Sequence, residues 1–213
     1  MHAYYEARAR EYEQIYARPE RQADLARLKA WLAEEARDRT ILEIACGTGY
    51  WTAIAATTAR LILAIDRSAA SLELARSKAL GPAVDFAEAD AYGLPDLAGR
   101  FDCGMAHFFW SHVPKARMAA FLADFASRLC PGAKLLLIDN TFVPGSSTPI
   151  ARRDDEGNTY QLRALSTGER HEVLKNFPTT HEVEAALGAV ASQVDLLQLT
   201  YYWAARAILA RRG

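Results

Sequence analysis

The sequence predicts an α/β fold built on an open, doubly wound and mostly parallel sheet. Two observations predict it. Apolar runs of β type recur at 40–45, 61–65, 84–87 and 101–106, separated by segments long enough to hold helices. Such alternation implies parallel strands joined by crossover helices. The first run ends in Gly47-x-Gly49, a turn through which the backbone can come close to a ligand, and a helix is expected from about Tyr50.

The elements follow in order. Residues 1–36 read as a helical prelude: Tyr4, Tyr5, Tyr12 and Tyr16 mark its first part, Arg18-Pro19 breaks it, and Leu25, Leu28 and Leu32 share one face of a second helix. The core spans 40–140. TILEIA is a buried strand, RLILAID a second one ending in Asp66, and SAASLELARSKAL the clearest crossover helix. Met118, Phe121, Leu122, Phe125 and Leu129 lie at helical spacing, and Pro131-Gly132 is expected to stop that helix before a fifth strand, AKLLLID. Past Asp139, NTFVPGSSTP is turn-rich, and TYQLRAL and RHEVLKNF flank STGE, so 141–178 reads as an insertion carrying a β-hairpin. Thr179 and Glu182 form a capping box for a helix through Leu187. SQVDLLQL and YYWAARAIL then add an antiparallel pair at the sheet edge, so that 179–213 completes a seven-stranded sheet. No repeat, low-complexity tract or linker marks a second domain, and 1–213 reads as one.

Composition sets bounds on function. With 213 residues, 51% hydrophobic and 24% charged, the chain can bury a sizeable core without disulfides or metal. Its formal net charge is −1 and no basic block stands out beyond the terminal ARRG, so bulk electrostatics give a nucleic-acid partner no support. Cys46, Cys103 and Cys130 form no Cys-x-x-Cys pair and read as reduced, mostly buried thiols. The charged segment MHAYYEARAREYEQ is no signal peptide, and no apolar run approaches the roughly 18 residues of a membrane span. A cytoplasmic protein with no membrane partner is expected.

Ligands of open α/β sheets bind beyond the carboxyl ends of the strands, where Gly47, Asp66, Asp90 and His107 fall. Asp66, nineteen positions past Gly47, could accept both hydroxyls of a ribose, which points to an adenosine-bearing cofactor. As a lone aspartate it would equally serve as a helix N-terminal charge ahead of Ser68. The ordered set LEIACGTG, AIDRS, FAEADAYGLP, FDCGMAHFFWSHVP and LCPGAKLLLID resembles the class I S-adenosylmethionine-dependent methyltransferases over 40–140. The resemblance implies a Rossmann-like, seven-stranded sheet whose last strand is antiparallel. It also implies S-adenosylmethionine as cofactor and S-adenosylhomocysteine as product.

Under that resemblance Asp66 takes the ribose diol, Asp90 the adenine amine, the Ala91 backbone N–H a ring nitrogen, and Arg67 lies along the adenine face. Backbone carbonyls near Gly47 and His107 would accept from the methionine ammonium, with Glu43 adding negative charge. Tyr4, Tyr12, Tyr16 or Arg8 would supply donors to the methionine carboxylate. Ala45 stands where many relatives carry the first loop glycine, a change that a buried strand end tolerates. Gly49 is the second glycine of the turn, and Thr52 occupies the third glycine position of a nicotinamide fingerprint, which weakens a dehydrogenase reading. His107-Phe108-Phe109-Trp110 replaces the Asn/Asp-Pro-Pro-Tyr of enzymes that methylate amino groups of DNA bases or of protein glutamine.

The expected reaction is methyl transfer to an O or N atom of a small molecule by in-line displacement, because the sulfonium already makes the methyl group electrophilic. His112 is the candidate base, with helix capping or packing as its structural alternative. Phe108, Trp110, Phe142 and Tyr160, with Phe109, are expected to surround the methyl-donor end if the hairpin folds over the sheet, and His171 and Lys175 to face the substrate. That would make an aromatic, weakly charged pocket for a planar or apolar acceptor. A noncatalytic cofactor-binding or partner-regulating module and a nicotinamide-dependent oxidoreductase are the other readings.

Overall fold

A computed structural model describes residues 2–93, 100–165 and 167–211. Leu94-Pro95 of the FAEADAYGLP stretch, Ser166 of STGE and the closing Arg212-Gly213 lie outside the described residues. The prelude forms α1 (His2–Arg8), a 3-10 segment (Ala9–Ala17), a 3-10 turn (Pro19–Arg21) and α2 (Gln22–Glu35). Leu25, Leu28 and Leu32 are buried on one face of α2, as their spacing predicts.

The core alternates β1 (Thr40–Ile44), α3 (Tyr50–Ala55), β2 (Leu61–Asp66), α4 (Ala69–Ser77), β3 (Val84–Glu88), β4 (Phe101–His107), α5 (Met118–Ser127) and β5 (Leu129–Asn140). The insertion adds β6 (Arg152–Arg153), β7 (Thr159–Ala164) and β8 (Arg170–Leu174), and α6 (Thr180–Gly188), β9 (Ala191–Gln198) and β10 (Tyr202–Leu209) follow. The main sheet has seven strands in the order β3-β2-β1-β4-β5-β10-β9. β1 pairs in parallel with β2 and β4, whereas β10 runs antiparallel to both β5 and β9. This is the Rossmann-like, seven-stranded sheet that the sequence resemblance implies. The expected hairpin is β7–β8, and β6 extends it to three strands.

Two apolar layers hold the sheet. Leu42, Ile65, Leu135 and Leu137 pack with Phe121, Phe125, Val183 and Leu187 of α5 and α6 on one face. Ile41, Ile62, Leu136 and Ile138 pack with Leu25, Leu28, Trp51 and Leu72 of α2, α3 and α4 on the other. Alternate residues of each strand point to opposite faces, so a near-continuous apolar run serves both layers.

Two local expectations need correction. The first strand stops at Ile44, and Ala45 turns into the left-handed region at φ 54°, so it occupies a glycine-favouring conformation rather than a strand end. The fifth strand starts at Leu129, before Pro131-Gly132, because α5 already ends at Ser127. Its ladder with β4 is interrupted between Phe101 and Cys103, which pair with Leu129 and Lys134. Proline, lacking an N–H, is tolerated at such an irregularity.

Candidate active site

The strand order reverses between β1 and β4, and beyond their carboxyl ends lies a cavity of about 300 Å³. Glu43 and Ala45 line it from β1 and its end, Asp66 and Arg67 from β2 and its end, Asp90, Ala91 and Tyr92 from the loop after β3, and His107, Phe108 and Phe109 from β4 and its end. Tyr5, Ala9, Tyr12 and Tyr16 of the prelude line it as well.

Asp66 organises the floor. Its Oδ2 accepts from the Gly47 N–H at 2.8 Å and its Oδ1 from the Ser68 N–H at 2.8 Å, tying the glycine turn to the start of α4. The capping role and the ligand role are compatible, since a carboxylate has about four lone-pair sites. The two glycines serve different ends. A Cβ on Gly49 would lie 3.0 Å from Ala75 Cβ, so the residue allows α3 and α4 to approach. A Cβ on Gly47 would meet no protein atom within 4 Å, which leaves backbone accessible in the cavity wall.

Two buried polar groups face this cavity without a full complement of partners. Glu43 is 1% exposed and its Oε2 has no hydrogen bond. Burial raises its carboxyl from 4.5 to about 7, against a lowering influence of Thr52. Neither ring nitrogen of His107 has a hydrogen-bond partner among the described residues, and burial lowers this histidine from 6.5 to about 3, so it stays neutral.

The prelude is pinned over the site. Glu13 Oε1 accepts from the Thr48 hydroxyl and from Lys78 Nζ, each at 2.6 Å, and the Tyr16 hydroxyl accepts from Trp51 Nε1 at 3.0 Å. Tyr16 also stacks on Tyr50 with centroids 4.0 Å apart. Arg67 Nη1 lies 3.6 Å from Asp90 Oδ2, so this pair joins the ends of β2 and β3 across the cavity wall, while Asp90 Oδ1 accepts from the Tyr92 N–H at 2.9 Å.

His112 sits where this cavity meets a second one of about 260 Å³. Its Nδ1 donates to the Leu174 carbonyl at 2.6 Å, because a carbonyl can only accept. In the neutral ring Nε2 is therefore an acceptor, and it takes the Tyr5 O–H at 2.9 Å. Burial, Lys175 and Arg163 all hold this imidazole well below 6.5. Arg163 Nη1 in turn donates to the Tyr5 oxygen at 3.3 Å, which completes a chain of fixed polarity from β7 to β8.

Several expected site residues lie elsewhere. Tyr4 and Arg8 line the second cavity rather than the first, with Arg8 Nη1 donating to the Tyr4 oxygen at 2.7 Å. Trp110 is buried against Trp203, edge to face at 5.7 Å, because the turn Trp110–His112 aims it into the apolar core. Phe142 packs on Phe177, and Tyr160 donates to Asp154 under the guanidinium of Arg152. His171 packs on Tyr4 and lines neither cavity. Lys175 is buried 3.0 Å from Asp139 and donates to the Ser111 hydroxyl at 2.6 Å, and it lines the second cavity. The sequence reading missed Tyr5, Tyr92, Arg18, Arg21 and Arg163, whose local surroundings resemble those of ordinary surface charges and helix aromatics.

A family model described as "Methyltransferase domain" matches residues 41–132. The DhpI–SAH complex shares the fold with TM-score 0.80 and 27% identity, covering 99% of this chain and 96% of that one. Together with the fold, these likenesses support a class I S-adenosylmethionine-dependent methyltransferase. The DhpI–SAM–HEP complex matches this methyltransferase equally well, with TM-score 0.80 and 27% identity over 96% of the chain and 94% of the other. A "probable S-adenosylmethionine-dependent methyltransferase" from Mycolicibacterium smegmatis is 29% identical over 160 residues, which are 74% of this chain and 57% of that relative's length.

The cofactor is S-adenosylmethionine, and the residues present fit it. A site for this molecule needs acceptors for an ammonium and a diol, and an apolar wall for a base. Buried Glu43 Oε2 and His107 lack hydrogen-bond partners, Gly47 leaves backbone uncovered, and Tyr92 and Phe109 face each other at 6.0 Å in the same wall. No helix among the described residues is long and apolar enough to cross a membrane.

Proposed function

We propose that this methyltransferase delivers the methyl group of S-adenosylmethionine to an O or N atom of a small molecule in line with the sulfur–methyl bond. The observation that carries this reading is the cover. Tyr5, Ala9, Tyr12 and Tyr16 close over the first cavity, and the Glu13 and Tyr16 contacts fix them there, which favours a small acceptor over a bulky polymer. When bound, the cofactor supplies an electrophilic methyl group.

The chain's own residues hold and position. Asp66 would hold the ribose diol, Asp90 and the Ala91 N–H the adenine edge, and Glu43 with nearby carbonyls the ammonium. Tyr12 and Tyr16, which line the cavity, would supply donors to the carboxylate. Phe108 and Phe109 exclude water from the donor end. His112 orients the Tyr5 hydroxyl, and in this tautomer its Nε2 lone pair is already used, so it acts by placing Tyr5.

Incubation with labelled S-adenosylmethionine and a panel of small acids, alcohols and amines tests this reading. The expected result is label on one class of compound. Asp66→Ala should lower S-adenosylhomocysteine affinity by about tenfold to a hundredfold, the range for loss of a charged hydrogen-bond partner. Unchanged affinity in a folded Asp66→Ala protein would remove the proposed ribose site.

A further inference from the structure

We infer that the second cavity is an acceptor site for a small molecule bearing an oxyanion of phosphate or carboxylate type. This rests on reading the first cavity as the methyl-donor site. Among the described residues Arg8, Arg18, Arg21, Arg163 and Lys175 line the second cavity, and no aspartate or glutamate does. Lys175 is neutralised by Asp139 at 3.0 Å, and Arg18 lies 3.9 Å from Glu20. Among the described residues Arg8, Arg21 and Arg163 have no carboxylate within ion-pair distance. Guanidinium groups gathered round a partly enclosed space repel one another unless an anion joins them.

Hydrogen-bond supply points the same way. Acceptors close to these guanidinium groups are already engaged: the Ser146 carbonyl takes Arg18 at 3.0 Å and Arg21 at 3.5 Å, and the Thr148 carbonyl takes Gln161. Gln161 Oε1 accepts from Arg163 Nε at 3.1 Å and Nη2 at 2.7 Å, and so fixes the guanidinium plane. Arg163 thus uses three of its five N–H donors, counting the one on Tyr5, and two remain. Arg21 Nε is buried with no hydrogen bond among the described residues. A cavity rich in donors and poor in acceptors suits an acceptor-only group, and planar guanidinium forks match the oxygens of phosphate and carboxylate.

Position supplies the link to methylation. Tyr5, Tyr12 and His112 belong to the walls of both cavities, so a molecule whose anionic end meets Arg163 and Arg8 would have its other atoms at the boundary with the donor site. On this inference the acceptor meets a charged pocket, where the sequence suggests a weakly charged one. The first cavity is aromatic and the second is cationic.

The test is calorimetric titration of inorganic phosphate and of acetate, each at constant ionic strength, into protein saturated with S-adenosylhomocysteine. Saturable binding of either anion is expected: stronger phosphate binding marks a tetrahedral dianion as the acceptor's group, and stronger acetate binding marks a carboxylate. Arg163→Gln should weaken that binding about tenfold to a hundredfold. Arg163→Lys should lie between, and Arg153→Gln, on an exposed strand outside both cavities, should match the parent. S-adenosylhomocysteine affinity within twofold of the parent in each variant shows that the donor site is folded. If S-adenosylhomocysteine binds and neither anion does, or if Arg163→Gln leaves anion binding unchanged, the inference fails while the donor-site reading stands. If S-adenosylhomocysteine itself does not bind the parent protein, both fail.

Discussion

Glu43→Gln should make the ligand-free protein more stable above neutral pH and the cofactor bind less tightly. Glu43 is fully enclosed, and burial moves its carboxyl from 4.5 to about 7. Between those values the folded chain holds a proton that the unfolded chain has released. Neutral Glu43 therefore contributes full stability below about pH 4.5, and that contribution is lost as pH rises through about 7. The interval corresponds to about 3 kcal/mol. Glutamine has the same shape and never ionises. The stability difference between variant and parent should be close to zero at pH 4 and grow to about 3 kcal/mol in favour of the variant by pH 8. His107 titrates in both proteins and so drops out of the difference. Urea unfolding at a series of pH values measures it, with constant slopes showing that the unfolded state is unchanged. S-adenosylhomocysteine affinity should fall about tenfold or more, as an ammonium loses a charged partner. A stability difference that stays flat from pH 4 to 8 would refute the reasoning, because it would mean that the carboxylate is solvated when ionised.

Other outcomes follow from the same structure. Ala45→Gly should raise stability by about 0.5–1 kcal/mol in urea melts, since the relief of the left-handed backbone at φ 54° exceeds the added glycine entropy. Gly49→Ala should lower the melting temperature, through a loss of about 1–3 kcal/mol, because its Cβ would press on Ala75 at 3.0 Å and its backbone sits at φ 76°. Lys175→Met should cost about 3–5 kcal/mol by stranding buried Asp139, and pairing it with Asp139→Asn should restore much of that in denaturant melts, because no lone charge is then left inside.

Which parts of this were legible in the sequence follows from how local the determining physics is. Strand and helix periods, the Thr179–Glu182 box and the Pro19 break each act within a few residues, so element order could be read directly. Ala45 misled because a lone alanine carries no sign of its φ, which is fixed by the hydrogen bonds that close the glycine turn, such as Gly49 N–H to the Cys46 carbonyl at 3.0 Å. Trp110 misled because one 3-10 turn decides whether an aromatic after β4 faces ligand or core. Phe142 and Tyr160 found partners within the insertion itself.

The sequence by itself determined the alternating α/β chain and set Gly47, Gly49 and Asp66 together at the strand ends, because strand, turn and acid follow one another along a single stretch of backbone. Only the tertiary structure decided the character of the neighbouring cavity. Its cations come from the prelude, from β7 and from the residue after β8, and each reads as a solvated surface charge until the sheet edge, the cover and the insertion converge. Charge density in a cavity depends on distances through space, which residue order alone does not set.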